Sequence, residues 1–223
     1  MDEPESIEAY YARIVDAADD EHRLPVAVTE MPGWDIYPYE IDSLRLKPLR
    51  PLADEEPARR GETPSDCWCA ASAAGELDEV PEDDGNLVWS NERWTLRLGS
   101  DTGLPVMLVL GPRDHHDLPT LPSALAAEMG QLVVAVSDAV EHVPSVGRVQ
   151  LAKYGDGGAH LHLFFFGRPT RVLQLRGSPL LDWEENLPRV PLEVLRANAR
   201  VVAERLVVHV GGRAGTLSGD VLD

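Results

Sequence analysis

Cysteine is nearly absent. The 223 residues hold two, Cys67 and Cys69, too few for the disulfide framework of a small secreted domain. Standing two apart in extended backbone they would share one face with Cα atoms about 7 Å apart, at the limit of disulfide reach, which leaves metal binding or inert thiols rather than a bridge. Basic residues are also short, 20 Lys and Arg against 38 Asp and Glu, so the chain carries −18 at pH 7. Its average surface repels phosphate backbones and anionic lipid, which argues against nucleic-acid and membrane-surface partners. Any phosphate site must be a local exception. No apolar run approaches the ~20 residues of a membrane span, and the N-terminus MDEPESIEAYY is acidic where a secretory leader would be basic and then apolar. A cytoplasmic protein is the expectation. Aromatic residues are sparse at 6%, but 43% hydrophobic against 26% charged residues is a globular balance that excludes collagenous and wholly disordered chains.

What is present falls into segments. Residues 1–52 read as an N-terminal extension: Ile7, Tyr10, Tyr11, Ile14 and Val15 keep helical spacing, and an extended stretch carrying Trp34, Tyr37 and Tyr39 follows. Those three aromatics read as packing onto the main domain or as a wall that stacks on or caps a substrate. Residues 53–66 have no apolar period and dense charge, so a linker is expected there. From 67 to 210 the pattern is compact. Strand-like runs LVWSN, RWTLRL and LPVMLVL precede a helix over 121–143, in which Leu121, Leu125, Met129, Leu132, Val136 and Val140 recur near 3.6 residues. Strands over 147–154 and 159–166 follow, joined by the turn Gly155-Asp156-Gly157-Gly158, and a helix over 192–210 closes the domain. Residues 211–223 are expected to be a mobile tail. The order predicts an α+β fold with an antiparallel sheet of about five strands, one long central helix and a C-terminal helix.

The chemistry concentrates in YGDGGAHLHLFFFGRP, residues 154–169. Side chains alternate along a strand, so His160, His162, Phe164 and Phe166 share one face, with the two imidazoles about 7 Å apart. The preceding turn can aim backbone N–H groups at an anion without interference from Cβ atoms, and Gly157, Gly158 and Ala159 are the candidate phosphate binders. Neutral imidazole is a good nucleophile near pH 7, so histidine beside such a turn suits attack on phosphorus. The plainer reading is a hairpin turn followed by an exposed histidine face. Lys153, Arg168 and Arg113 could each bring positive charge to a phosphate, or simply be solvated.

The run His160-Leu161-His162-Leu163, with apolar residues and Gly167 after it, resembles the motif of the histidine-triad (HIT) superfamily, and the flanking order from DCWCAASAAGE onward is similar over roughly residues 66 to 177. The resemblance implies that His162 is a nucleophile taking up a nucleoside monophosphate, that His160 holds the site's geometry, and that the chain pairs as a homodimer. It implies a nucleotide hydrolase or nucleotidyltransferase, with structural zinc on Cys67, Cys69, His115 or His116, and His160. Four features depart from the family pattern, one being the absence of the Asn often found on the strand before the glycine turn, with Ala152 or Lys153 in its neighbourhood. The third motif position, His or Gln in the family, is Phe164, whose ring can neither donate a proton to a leaving group nor hydrogen-bond a phosphate. Leu98 stands where an acidic residue usually holds the ribose, with Asp101 as a possible substitute, and the cysteines are spaced C-x-C rather than C-x-x-C. These departures keep two alternatives in view: a non-catalytic nucleotide- or phosphate-binding protein, and an enzyme of specialised metabolism with a non-nucleotide substrate. By analogy of fold, Trp183 is the residue after the motif that could reach the site.

Overall fold

The computed structural model describes residue 12 and residues 15–24, 48–67, 69 and 85–217. The segment with Trp34, Tyr37 and Tyr39 lies outside them, as does most of the expected N-terminal helix. The chain divides into two compact units, Met1–Pro57 and Ala58–Asp223. In the first, the Asp19 carboxylate accepts the N–H groups of Glu21 and Arg23, each at 2.9 Å.

The second unit is built on one sheet. Its strands are β1 (Leu87–Ser90), β2 (Trp94–Leu98), β3 (Val106–Pro112), β4 (Val146–Ala152), β5 (Leu163–Pro169) and β6 (Arg213–Ala214), in the spatial order β4-β5-β3-β2-β1-β6. Every neighbouring pair is antiparallel. Alternation makes the two faces different: in β2 and β3 every second residue is buried, which turns Leu96, Leu108, Leu110, Leu163 and Phe165 into a single apolar layer. Two helices cover that layer. Helix α1 (Ser123–Glu141) packs on β4 and β5, and α3 (Leu192–Val210) packs on β1, β2 and β3. The apolar period of α1 predicted from sequence is the buried stripe Leu132, Val136, Ala139 and Val140. On the opposite face a smaller cluster of Leu104, Phe166, Leu175 and Leu180 forms under the short helix α2 (Leu180–Glu184).

The α+β antiparallel sheet is as expected, and four details add to that expectation or differ from it. The sheet has a sixth strand, because residues 211–217 do not trail away: Gly211 and Gly212 take positive φ of 71° and 82°, a turn that costs glycine little. The turn brings β6 against β1 and leaves Leu217 only 1% exposed. A two-residue strand carries no readable alternation. Secondly, the second compact unit begins at Ala58, and within it Arg60 forms a parallel bridge with Gly158. Thirdly, the motif strand begins at Leu163, not 159. Ala159 and Leu161 spend their N–H groups outside the sheet, on the carbonyls of Arg60 (3.0 Å) and His116 (2.7 Å). Lastly, the glycine turn is not a tight hairpin: Ala152 already pairs with Phe164, which leaves 153–162 as a long connection free to fold over the sheet's end.

Candidate active site and metal centre

Three pieces of chain meet where β3 ends. They are the loop after Pro112, the connection 153–162 and the segment 59–69. The first motif histidine joins them, since His160 Nε2 lies 2.8 Å from the Pro112 carbonyl oxygen and Nδ1 lies 3.4 Å from Cys67 Sγ. A carbonyl only accepts, so Nε2 carries the proton and Nδ1 presents its lone pair to the thiol. His160 is 8% exposed. Burial holds it below the ordinary imidazole range, the Pro112 hydrogen bond opposes that shift, and His115, His116 and His162 add to it. The residue is therefore neutral, the form a metal requires.

Cys69 Sγ lies 3.6 Å from His115 Nδ1, and the ligand atoms of Cys67, Cys69, His115 and His160 all fall within 4.8 Å of one another. This geometry tests the zinc expectation. Zinc–sulfur bonds of about 2.3 Å and zinc–nitrogen bonds of about 2.0–2.1 Å at tetrahedral angles place sulfur and nitrogen about 3.6 Å apart, and the two observed separations match that edge. The His115 and His160 rings stand at 89° to each other, as ligands approaching one point from different directions do. The Pro112 carbonyl behind His160 is the partner that fixes a metal-bound imidazole's tautomer. The donor set fits zinc, and it selects His115; His116 contributes its carbonyl to Leu161 instead. The C-x-C spacing is no obstacle: Cys67 has extended backbone after the 3-10 turn Pro64–Asp66, Cys69 is helical, and both sulfurs belong to the cluster.

His162 is tethered by the residue that closes the cluster. Its Nδ1 lies 2.8 Å from the carbonyl oxygen of His160, so Nδ1 is the donor and Nε2 is left with a free lone pair. The glycine turn lies alongside: a Cβ on Gly158 would sit 4.0 Å from His162 Cε1, and one on Gly157 would meet nothing. Among the described residues the N–H groups of Gly157 and Gly158 have no protein acceptor, which suits an anion. Ala159 does not join them, because its N–H is donated to Arg60 and the residue is 3% exposed.

Arg59 holds the turn, a role hidden from sequence reading because it sits in what looked like a linker. Its guanidinium bonds the Gly155 carbonyl at 3.2 Å, Asp117 at 2.9 Å and Glu62 at 2.9 Å. Asp117 also faces Lys153 at 3.7 Å. Burial raises the Asp117 carboxyl, yet the Leu118 N–H, Arg59 and Lys153 together bring it below the usual range. Lys153 is thus at the turn. Arg168 is not: six residues along from His162, roughly 20 Å in extended chain, it bonds the Pro169 carbonyl. Arg113 turns away as well, bonding the Asn91 carbonyl and lining a cleft with Ser90, Glu128 and Gly212. Asp101 pairs with Arg189 at 3.0 Å beyond the end of β2 that lies opposite the histidines, and Leu98 is buried in the core. Phe164 stands edge-on to His162, ring centroids 5.3 Å apart at 87°, and Trp183 packs on the same apolar cluster as Phe164.

No protein-family model and no curated protein matches the sequence. Solved structures do resemble the chain. A hypothetical histidine triad nucleotide-binding protein from Sulfolobus tokodaii shares 15% identity, with 65% of this chain and 97% of that one covered and a TM-score of 0.46. A zinc-bound histidine triad family protein from Mycobacterium smegmatis shares 16% over 63% and 92%, with a TM-score of 0.44. A uridylyltransferase mutant shares 16% over 61% and 51%, with a TM-score of 0.41. These are likenesses of fold.

Proposed function

We propose that the protein is a HIT-like nucleotide hydrolase or nucleotidyltransferase that works through a covalent phosphohistidine at His162. One observation carries the reading: the His160 carbonyl holds the Nδ1 proton of His162, so Nε2 is the nucleophilic atom and needs no base to uncover it. Nε2 attacks the α-phosphorus of a nucleoside phosphate derivative. A P–N bond forms, the bond to the leaving group breaks, and the leaving group departs with its electron pair. The N–H groups of Gly157 and Gly158 bind the phosphoryl oxygens. Water or a second acceptor then attacks phosphorus, the P–N bond breaks, and the imidazole returns to its neutral form. Zinc on Cys67, Cys69, His115 and His160 would supply structural rigidity to the His160 segment and takes no part in these steps.

Phe164 favours a second reading, a protein that binds nucleotide or phosphate without turning it over efficiently, since no proton donor stands beside His162 at that position. A general acid is worth roughly 10²–10⁴-fold in rate. Its lack directs the enzyme reading toward substrates whose leaving groups depart unprotonated. The open edge of β4, where Leu151 is 47% exposed, supports assembly as a homodimer.

The test is intact-mass spectrometry after mixing with a nucleoside phosphoramidate. An added nucleoside monophosphate on the native chain, absent from His162→Ala, supports the enzyme. Binding by titration with neither adduct nor product assigns the chain to the second reading.

A further inference from the structure

All three phenylalanines of the chain stand together as Phe164, Phe165 and Phe166, and the alternation of β5 divides them. Phe165 is fully buried under the helices. Phe164 and Phe166 lie on the other face, nearly parallel, with ring centroids 5.8 Å apart and planes at 9°. Phe166 is closed over by Leu104, Leu175 and Leu180, whereas Phe164 sits half-buried at the rim of that cluster. Tyr154 continues the run outward: its ring is tilted 49° against Phe164 at 5.8 Å, and 45% of the residue is exposed. The inner end of this aromatic run is fixed by packing, its outer end faces solvent, and His162 stands edge-on to its middle at 5.3 Å.

A ring surface so placed has a physical use. Rigid aromatic faces bind flat unsaturated groups by stacking and by release of water from apolar surface. Phe164 belongs to a paired strand, with Val109 on one side and Ala152 on the other, so its ring is presented without ordering a loop. Gly158 lies beside His162, where a Cβ on it would sit 4.0 Å from Cε1, and the Phe164 ring stands 5.3 Å from the same imidazole. A phosphorus held at the glycines for attack by His162 therefore has this aromatic surface close by for an organic group it carries.

We infer that Phe164 and Tyr154, backed by Phe166, form a subsite for a flat aromatic group attached to the reacting phosphorus; this rests on the reading of His162 as nucleophile. The aromatic group belongs either to the leaving group or to the retained nucleoside, and both present the same stacking chemistry. The subsite accounts for a phenyl ring at a position where a proton donor would otherwise serve: the ring supplies contact area to the substrate in place of a proton.

Four phosphodiesters separate the possibilities. They are adenosine 5′-phosphate and methyl phosphate, each esterified with p-chlorophenol or with hexafluoroisopropanol, two alcohols of similar acidity but different shape. The readout is kcat/KM for the native protein and for Phe164→Leu and Tyr154→Leu. Tyr154→Leu changes a half-exposed side chain, so it remains informative if the Phe164 variant fails to fold. The expected result is a ring-bearing ester at least about ten-fold better than its ringless counterpart, the scale of stacking one base on an aromatic side chain, with the ratio falling toward one in the variants. Preference for p-chlorophenyl assigns the leaving group; preference for adenosine assigns the nucleoside. Equal rates for all four esters, or a preference unchanged in both variants, overturn the subsite while the reading of His162 stands. Neither turnover nor a His162 adduct with any of the four overturns that reading and the subsite with it.

Discussion

Arg59 shows how much of the site depends on one charged side chain. It reaches Gly155, Asp117 and Glu62 at once, and so fixes the turn that lies beside His162. Arg59→Ala is expected to raise KM for a nucleoside phosphoramidate by about ten-fold with a smaller change in kcat, since a loosened turn binds phosphate less well, and Arg59→Lys should recover part of the loss. Steady-state kinetics on the three proteins decides it; a fall in kcat alone would point away from the turn. Phe164→His is expected to raise turnover on substrates with poor leaving groups by up to about 10²-fold, toward the full worth of a proton donor, measured as kcat on a leaving-group series at pH 7. The two motif histidines and the cysteine pair were legible in the sequence because their types and order carry chemistry. Arg59 was not, for an arginine among charged residues looks solvated until its partner 96 positions away is known.

At the scale of elements, strands and helices whose apolar period persists were readable, including α1 and α3. The elements that escaped are those held by single long-range contacts: β6, the bridge at Arg60 and the unladdered run 159–162. Leu217, 1% exposed beyond β6, gives the first of these a measurable weight. Leu217→Ala is expected to cost about 2–5 kcal/mol, the range for emptying a buried leucine site, read as a shifted denaturant midpoint. The two long helices are also joined electrostatically, by Arg205 of α3 to Asp138 of α1 at 2.5 Å. The Arg205 hydrogen bond is the chief cause holding the Asp138 carboxyl below its ordinary range. A carboxyl so lowered adds stability above the usual carboxylate range, and that contribution disappears as pH falls through the lowered value. Asp138→Asn should therefore melt below the native protein at pH 7, and the gap should close in acid; a gap that persists at pH 2 would refute the sign.

The whole molecule joins two centres through one stretch of backbone. The side chain of His160 completes the Cys67, Cys69, His115 cluster, and its carbonyl tethers His162. Purified protein is expected to hold close to one zinc per chain by elemental analysis. Cys67→Ser should lower both zinc content and melting temperature, because metal held only by the folded state contributes folding free energy. Protein with native stability and no zinc would remove the metal from the account.

The segment carrying Arg59, Arg60 and Cys67 reaches across more than ninety residues to meet Gly155 and His160, whereas most of the sheet is laid down by neighbours in sequence. Closing so long a loop costs entropy before any contact rewards it. During refolding the local strand pairs β1–β2, β2–β3 and β4–β5 have the advantage, and the seam between residues 59–69 and 153–162 closes after them. A chain with its sheet assembled and its seam open is thus an intermediate in the order of events, one with native-like backbone but no organised nucleophile. Recovery of activity should lag behind recovery of secondary structure, and zinc, by drawing the two sides of the seam together, should shorten the lag.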